Sequence, residues 1–119
     1  MKKILFILLT VAALANAVEY GSASFYSVRS NGGLATASGE KLSDNKFTAA
    51  HKTLPFGTVV KVQCVKTGKS VNVKINDNGP HVRGRIIDLS KAAAQKLGMI
   101  NRGVIKVKVS VVSLGKKRR

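Results

Sequence analysis

Residues 59–75, VVKVQCVKTGKSVNVKI, contain two runs in which apolar and polar side chains alternate along the chain. The apolar positions of the two runs are Val60, Val62, Cys64, Val71, Val73 and Ile75. A period of two is the pattern of a β-strand that buries one face and exposes the other. Between the runs, Lys66-Thr67-Gly68-Lys69 has the length and the glycine of a hairpin loop. The segment therefore predicts a β-hairpin with one face in a hydrophobic core.

The rest of the chain extends this pattern into a mostly β domain. Alternation returns over residues 105–111, and an earlier strand is expected over Tyr20 to Val28. One helix is predicted over Lys91 to Leu97, with Ser90 as its N-cap and Gly98 at its end. An open sheet of so many valine-rich strands would expose edges that aggregate. The sequence therefore predicts a small domain closed into a barrel.

Composition narrows the class of protein further. A length of 119 residues predicts one domain, and a hydrophobic content of 45% excludes a disordered basic tail. The only cysteine is Cys64, so no intrachain disulfide can form. Two histidines and one cysteine are too few for the usual Cys/His zinc cage. We therefore expect no metal and no cofactor.

The first residues have the pattern of a secretory signal peptide. Lys2 and Lys3 precede an apolar run from Ile4 to Leu14, and Ala15-Asn16-Ala17 fits a cleavage site. We expect a signal peptide at 1–17, a barrel domain at 18–113 and a basic tail at 114–119, with an uncleaved anchor as the minor alternative. Export predicts a location in the periplasm or cell envelope. The predicted mature start has no cysteine, so no lipid anchor is expected.

The charge of the chain predicts anionic partners. Its 21 Lys and Arg residues outnumber five Asp and Glu residues, which gives a net charge of +16. Such a surface binds nucleic acid through counterion release when the two meet. An exported protein instead meets wall polymers and peptidoglycan carboxylates. We therefore expect contact with anionic envelope polymers, no nucleic acid in vivo, and a monomer.

Five polar segments interrupt the strand pattern, and together they resemble a known family. The segments are Thr36–Glu40 (TASGE), Thr48–His51 (TAAH), Leu54–Thr58 (LPFGT), Ile75–Pro80 (INDNGP) and Arg85–Ser90 (RIIDLS), after an opening Ala23–Tyr26 (ASFY). This order resembles the rare lipoprotein A family, which includes septal lytic transglycosylases acting on peptidoglycan. The resemblance runs from about Gly21 to Val112. It implies a small six-stranded double-psi β-barrel with one short helix.

The resemblance also implies site residues. Glu40, His51 and Asp77 fall where the family has its active-site Glu, His and Asp, and Asp77 matches the acid/base. His51 is expected to orient a carboxylate or contact sugar hydroxyls. The expected substrate-binding residues are Tyr26, Asn76 and Ser38. Asn78 stands where the family usually has Arg, and Ser27 where it usually has Gly.

Glycosidic bond cleavage independently requires a carboxylic acid that protonates the leaving oxygen. Glu19 lies at the predicted cleavage site and Asp44 in a turn signal, so three acids remain as candidates. To act as an acid near neutral pH, Asp77 must hold a proton through burial or through a neighbouring carboxylate such as Glu40. Asp88, in the family's strand-to-helix segment, is interpreted as structural, because the helix dipole favours an acid at that end.

Two functions fit these observations. The first is an exported lytic transglycosylase that cleaves the β-1,4 bond between MurNAc and GlcNAc and leaves 1,6-anhydro-MurNAc ends. The joint presence of Glu40, His51 and Asp77 favours this enzyme. The second is a non-catalytic module that binds peptidoglycan glycan strands. Asn78 and the high charge favour this alternative.

Overall fold

The structure is a computed structural model that describes residues 17–28 and 35–116. The predicted signal peptide, apart from Ala17, and the last three residues of the predicted tail lie outside the described residues. Within the described part, no helix has the length and apolar character that crossing a membrane requires.

Six strands and one short helix make up the described fold. In chain order they are β1 (Val18–Phe25), β2 (Thr48–His51), β3 (Val59–Cys64), β4 (Ser70–Asp77), β5 (Arg85–Leu89), α1 (Lys91–Leu97) and β6 (Ile105–Ser113). The strands close into a barrel in the order β1-β5-β2-β4-β3-β6. The prediction of a mostly β, six-stranded closed barrel with one short helix is confirmed.

The predicted hairpin forms the β3–β4 pair. The two strands are antiparallel, with Val62 opposite Val71, and the alternating valines point into the core. Val60 and Val62 are completely buried while Lys61 between them is exposed. Burying each such side chain stabilises the fold by roughly 1.5–3 kcal/mol. The same alternation in β6 buries Val107 against the other side of β3.

Two strands differ from the sequence-based prediction. β1 begins at Val18 and ends at Phe25, because Val18 and Glu19 pair with β6. β2 is not predicted by alternation, since all four of its residues are buried. It lies between β4 and β5 in the barrel, and its polar residues Thr48 and His51 are buried like its two alanines, so no exposed position marks one face.

The helix forms as predicted and joins the barrel through its N-cap. The Ser90 hydroxyl accepts a hydrogen bond from the amide of Ala93 and donates one to the carbonyl of Lys46, at 2.6 Å. Gly98 ends the helix in the left-handed conformation, at φ 74°. Ala93 and Leu97 face the core. The cap therefore fixes the helix to the segment that leads into β2.

Replacing this cap is expected to destabilise the whole domain. Ser90→Ala removes three hydrogen bonds of a completely buried hydroxyl, one donated to the carbonyl of Lys46 and two accepted from the amides of Ala93 and Thr48. We expect the free energy of unfolding to fall by about 1–2 kcal/mol. For a domain of this size that corresponds to a drop in Tm of about 4–16 °C, measured by calorimetry. The control is Ser113→Ala at an exposed position near the end of β6, which should leave Tm unchanged; an equal drop in both variants contradicts the role of the cap.

Candidate active site

An open cleft of about 570 Å³ lies on one side of the barrel. Its walls come from β1, β2, β4 and β5 and from the loop that follows β4. The polar and charged residues that line it are Ser24, Tyr26, Asp77, Asn78, His81, Arg85 and Asp88. Two carboxylates thus share the cleft.

Both carboxylates take their positions from Ala50 on β2. Ala50 is paired with Asp77 on β4 and with Asp88 on β5. Residues paired across neighbouring strands point to the same face of a sheet, so Asp77, Ala50 and Asp88 form a row. Two strand spacings separate the Cα atoms of the aspartates, roughly 10 Å. The methyl group of Ala50 leaves the space between them open.

A break in the β2–β4 register brings Asp77 to this face. Ala49 pairs with Ile75, whereas Ala50 pairs with Asp77, so Asn76 is the extra residue of a bulge. Without the bulge, Asp77 would share the face of Ile75, which is completely buried in the core. Bulges are common beside active sites because they redirect a side chain in this way.

Backbone amides fix the orientation of Asp77. Its Oδ1 accepts hydrogen bonds from the N–H groups of Ala37 and Asn78, both at 2.9 Å. The amide of Ser38 donates to the carbonyl of Asn76, which holds the 36–40 loop against β4. The Asp77 carboxylate is therefore a hydrogen-bond acceptor with a fixed orientation at the rim of the cleft.

Asp88 lies deeper and holds its proton more tightly than an ordinary aspartate. Burial raises the pKa of this carboxyl, and the charge of Asp77 raises it further. The Ser24 hydroxyl, which donates to Asp88 Oδ1 at 3.0 Å, and the Arg85 guanidinium lower the pKa without cancelling the effect of burial. Asp88 is thus a cleft carboxyl whose pKa lies above that of an ordinary aspartate.

Tyr26 forms part of the cleft wall. Its ring is buried, and its hydroxyl hydrogen-bonds the hydroxyl of Thr48 at 3.0 Å. Burial raises the pKa of the phenol, so Tyr26 is neutral at physiological pH. Of the three predicted substrate-binding residues, it is the one that lines the cleft.

The other two predicted substrate-binding residues organise the 36–40 loop. Ser38 Oγ hydrogen-bonds the hydroxyl of Thr36 at 2.9 Å and accepts from the amide of Glu40. Asn76 is 3% exposed, and its side-chain oxygen has no partner within the described residues. Neither residue lines the cleft. Asn76 is the extra residue of the bulge, and it lies beneath the 36–40 loop.

Glu40 does not face the cleft with Asp77, contrary to the sequence-based expectation. Its carboxylate forms an ion pair with Lys74, at 2.7 Å between Oε2 and Nζ. The hydrogen bond from that ammonium lowers the pKa of Glu40. Lys74 lies on β4 and, like Glu40, does not line the cleft, so the glutamate is paired with a cation rather than with Asp77.

His51 does not line the cleft with Asp77. It lines a second pocket of about 280 Å³ instead. Its Nδ1 accepts hydrogen bonds from the amides of Thr53 and Leu54, both at 3.1 Å, and therefore carries no proton. Its Nε2 donates to Glu19 at 2.9 Å. The alternation of β2 explains this placement, because Ala50 and His51 are successive residues.

The sequence contained one signal for the cleft that our interpretation missed. In RIIDL, Asp88 lies between Ile87 and Leu89, which are completely buried. A strand with those two residues in the core must point Asp88 to the opposite face. Asp88 is therefore a cleft residue, a position that the structural role predicted for it did not include. Within the described residues, no group of three or more His, Cys, Asp or Glu is arranged to hold a metal ion.

Comparison with solved structures places the fold in the double-psi β-barrel class. An expansin from Clavibacter michiganensis matches with a TM-score of 0.63 at 24% identity, covering 83% of this chain and 52% of the expansin. A Streptomyces papain inhibitor matches with the same TM-score of 0.63 at 23% identity, covering 80% of this chain and 94% of the inhibitor. At these identities the likeness concerns the fold.

Comparison of sequences then identifies the family. A family model described as lytic transglycolase matches residues 18–109, and the chain belongs to this family. The endolytic peptidoglycan transglycosylase RlpA of Neisseria meningitidis is 49% identical over 102 residues, which are 86% of this chain and 42% of the relative. That of Pasteurella multocida is 48% identical, over 83% of this chain and 33% of the relative. The chain thus spans less than half the length of these relatives, and the predicted resemblance is confirmed.

The raised pKa of Asp88 predicts a pH dependence of stability. An acid whose pKa is raised in the folded state stabilises the fold below its unfolded pKa of about 3.9, and this contribution is lost as pH rises through the higher folded pKa. Asp88→Asn removes that titration. We expect wild-type stability, measured by urea unfolding, to fall relative to the variant as pH rises above about 4. A constant difference across pH would contradict the burial of an ionisable Asp88.

Proposed function

We propose that this chain is an exported peptidoglycan lytic transglycosylase. It cleaves the β-1,4 bond between MurNAc and GlcNAc and leaves 1,6-anhydro-MurNAc ends. The observation that carries the proposal is the row of Asp77, Ala50 and Asp88, which puts two carboxylates on one open cleft, one oriented by backbone amides and the other with a pKa raised by burial. The transglycosylase names of the relatives support the reaction, and their substrate supports a location in the cell envelope.

In the proposed reaction, Asp88 acts as the acid. It transfers its proton to the glycosidic oxygen as the bond from that oxygen to C1 of MurNAc breaks. The C6 hydroxyl of the same MurNAc then attacks C1 and closes the 1,6-anhydro ring. Asp77, whose orientation is fixed by two amide groups, accepts the proton released by that hydroxyl. No water is consumed, and exchange of one proton with solvent restores both aspartates.

The net charge of +16 affects which carboxyl group of the protein can keep a proton. A positive surface favours ionised carboxylates in general, so a proton is retained only where burial dominates. Burial is the largest influence on Asp88, while the ammonium of Lys74 is the largest on Glu40. We therefore assign the proton to Asp88 rather than to Glu40.

His51 acts in this proposal as a positioning residue. It is 5% exposed, and its ring joins the end of β2 to the following loop and to Glu19 on β1. β2 in turn carries Ala50, the residue that spaces the two aspartates. The effect of His51 on the reaction is therefore exerted through the placement of β2.

Digestion of purified peptidoglycan tests the two aspartates. Asp77→Asn and Asp88→Asn should each lower the rate of release of anhydro-MurNAc products by about 10²–10⁴-fold, the range for loss of a general acid or base. Mass analysis of the products gives the readout. Asp44→Asn is the matched control, because Asp44 does not line the cleft and its carboxylate accepts a hydrogen bond from the amide of Val28; its rate should match wild type.

Three outcomes of the same digestion would contradict the proposal. Reducing ends in place of anhydro ends indicate hydrolysis. Binding to peptidoglycan without any cleavage indicates the non-catalytic module. Glu40→Gln is expected to keep activity within about threefold of wild type, since Lys74 holds this residue outside the cleft. A loss as large as that of Asp77→Asn assigns a catalytic role to Glu40 instead.

Two substitutions of His51 separate positioning from catalysis. In His51→Asn the side-chain oxygen can accept the two amide hydrogen bonds that Nδ1 accepts. We expect activity within about tenfold of wild type and a similar Tm. His51→Ala leaves both amides without that acceptor, so Tm and activity should fall together. If His51→Asn keeps the wild-type Tm but loses as much activity as Asp77→Asn, the histidine acts directly in catalysis.

A further inference from the structure

We propose that the barrel has a second, electrostatic binding surface for peptidoglycan, which binds the carboxylates of its peptide stems. The surface is defined by Lys61, Lys106 and Lys108, and we refer to it as the lysine face. It extends the proposed function, because it concerns the same polymer, but it lies on different strands from the cleft. The face would hold the enzyme on uncleaved wall while the cleft acts on a glycan strand.

The strand order places the lysine face and the cleft on different sides of the barrel. The row of Asp77, Ala50 and Asp88 lies on β4, β2 and β5, whereas Lys61 lies on β3 and the other two lysines on β6. In the closed order β1-β5-β2-β4-β3-β6, the β3–β6 pair lies across from β5 and β2. A polymer in the cleft therefore leaves the lysine face accessible.

Core packing forces the three lysines outward. On β6, Lys106 and Lys108 alternate with Ile105, Val107 and Val109, all of which are buried. On β3, Lys61 lies between two completely buried valines. Successive residues of a strand point to opposite faces, so the ammonium groups all emerge on the solvent side of the same two-stranded surface.

The register brings the three lysines close together. Lys106 and Lys108 are two residues apart on one strand, roughly 7 Å. Lys61 is paired with Ser110, the next outward residue after Lys108, so Lys61 and Lys108 are diagonal neighbours roughly 7–8 Å apart. At this spacing the three positive charges repel one another, and an anionic ligand would relieve the repulsion.

No carboxylate of the described chain neutralises these lysines. Each of the five acids is engaged elsewhere. Glu19 contacts His51, Glu40 contacts Lys74, and Asp44 accepts a hydrogen bond from a backbone amide. The remaining two line the cleft. Within residues 17–28 and 35–116, the lysine face therefore has an unbalanced charge of three, which an external anion can complement.

The lysine face has uncharged neighbours, which can contact a polymer but add nothing to the binding of a small ion. Lys108 is paired with Tyr20 on β1 and with Gln63 on β3. A tyrosine, a lysine and a glutamine therefore lie side by side on three neighbouring strands. Tyr20 is 67% exposed and offers an aromatic surface to a sugar ring or peptide. Peptide stems repeat along peptidoglycan, and a repeating ligand gains affinity when several weak contacts form together.

The test measures binding to intact sacculi in an Asp77→Asn background, where cleavage is expected to be suppressed. We expect Lys61→Gln, Lys106→Gln and Lys108→Gln combined to weaken binding about tenfold at low salt and to reduce its salt dependence. The matched control combines Lys46→Gln, Lys52→Gln and Lys91→Gln, three exposed lysines outside the face. It removes the same charge and should weaken binding less than threefold.

Two further arms identify the ligand and separate this proposal from the proposed function. Sacculi freed of attached phosphate polymers should retain the tenfold difference, whereas glycan strands stripped of peptides should abolish it. In the background with Asp77 intact, the face variant should cleave short peptide-free strands at the wild-type rate. An equal loss in the control variant, no loss in the face variant, or a difference that persists on peptide-free glycan would each overturn the lysine face. Failure of Asp77→Asn to slow cleavage would refute the proposed acid–base pair and leave the binding result intact.

Discussion

The register of β2 between β4 and β5 is the constraint on which the cleft depends. Ala50 is the shared partner of Asp77 and Asp88, and the one-residue bulge at Asn76 turns Asp77 away from the core. A small side chain is needed at position 50, because a larger one would fill the space between the carboxylates. The anchors of β2 at Ser90 and His51 lie outside this row but act on its geometry.

The electrostatics of the protein divide into two environments. Over most of the surface, the excess of cations favours ionised acids, as the Lys74–Glu40 pair illustrates. In the cleft, burial raises the pKa of Asp88, and the neighbouring charge of Asp77 raises it further. The proposed reaction uses this contrast between a carboxylate oriented by backbone amides and a half-buried acid of raised pKa.

Sequence predicted the parts of the fold that follow from local patterns. The alternating strands β3, β4 and β6 and the helix capped by Ser90 and Gly98 needed only residues near in sequence. β2 lacked such a pattern because it is buried throughout. Motif positions identified Asp77, but they could not show that Lys74 holds Glu40 outside the cleft or that His51 lies beside a second pocket. Those outcomes depend on pairings across the barrel.

The most direct test of the account is a titration of the aspartate carboxyl groups by NMR, in the wild type and in Asp77→Asn. We expect Asp88 to titrate above the ordinary aspartate range of about 3.9, because burial and the charge of Asp77 both raise its pKa. We also expect the pKa of Asp88 to fall when Asp77 is replaced by Asn. An Asp88 that titrates in the ordinary range and does not respond to the substitution would contradict the shared cleft.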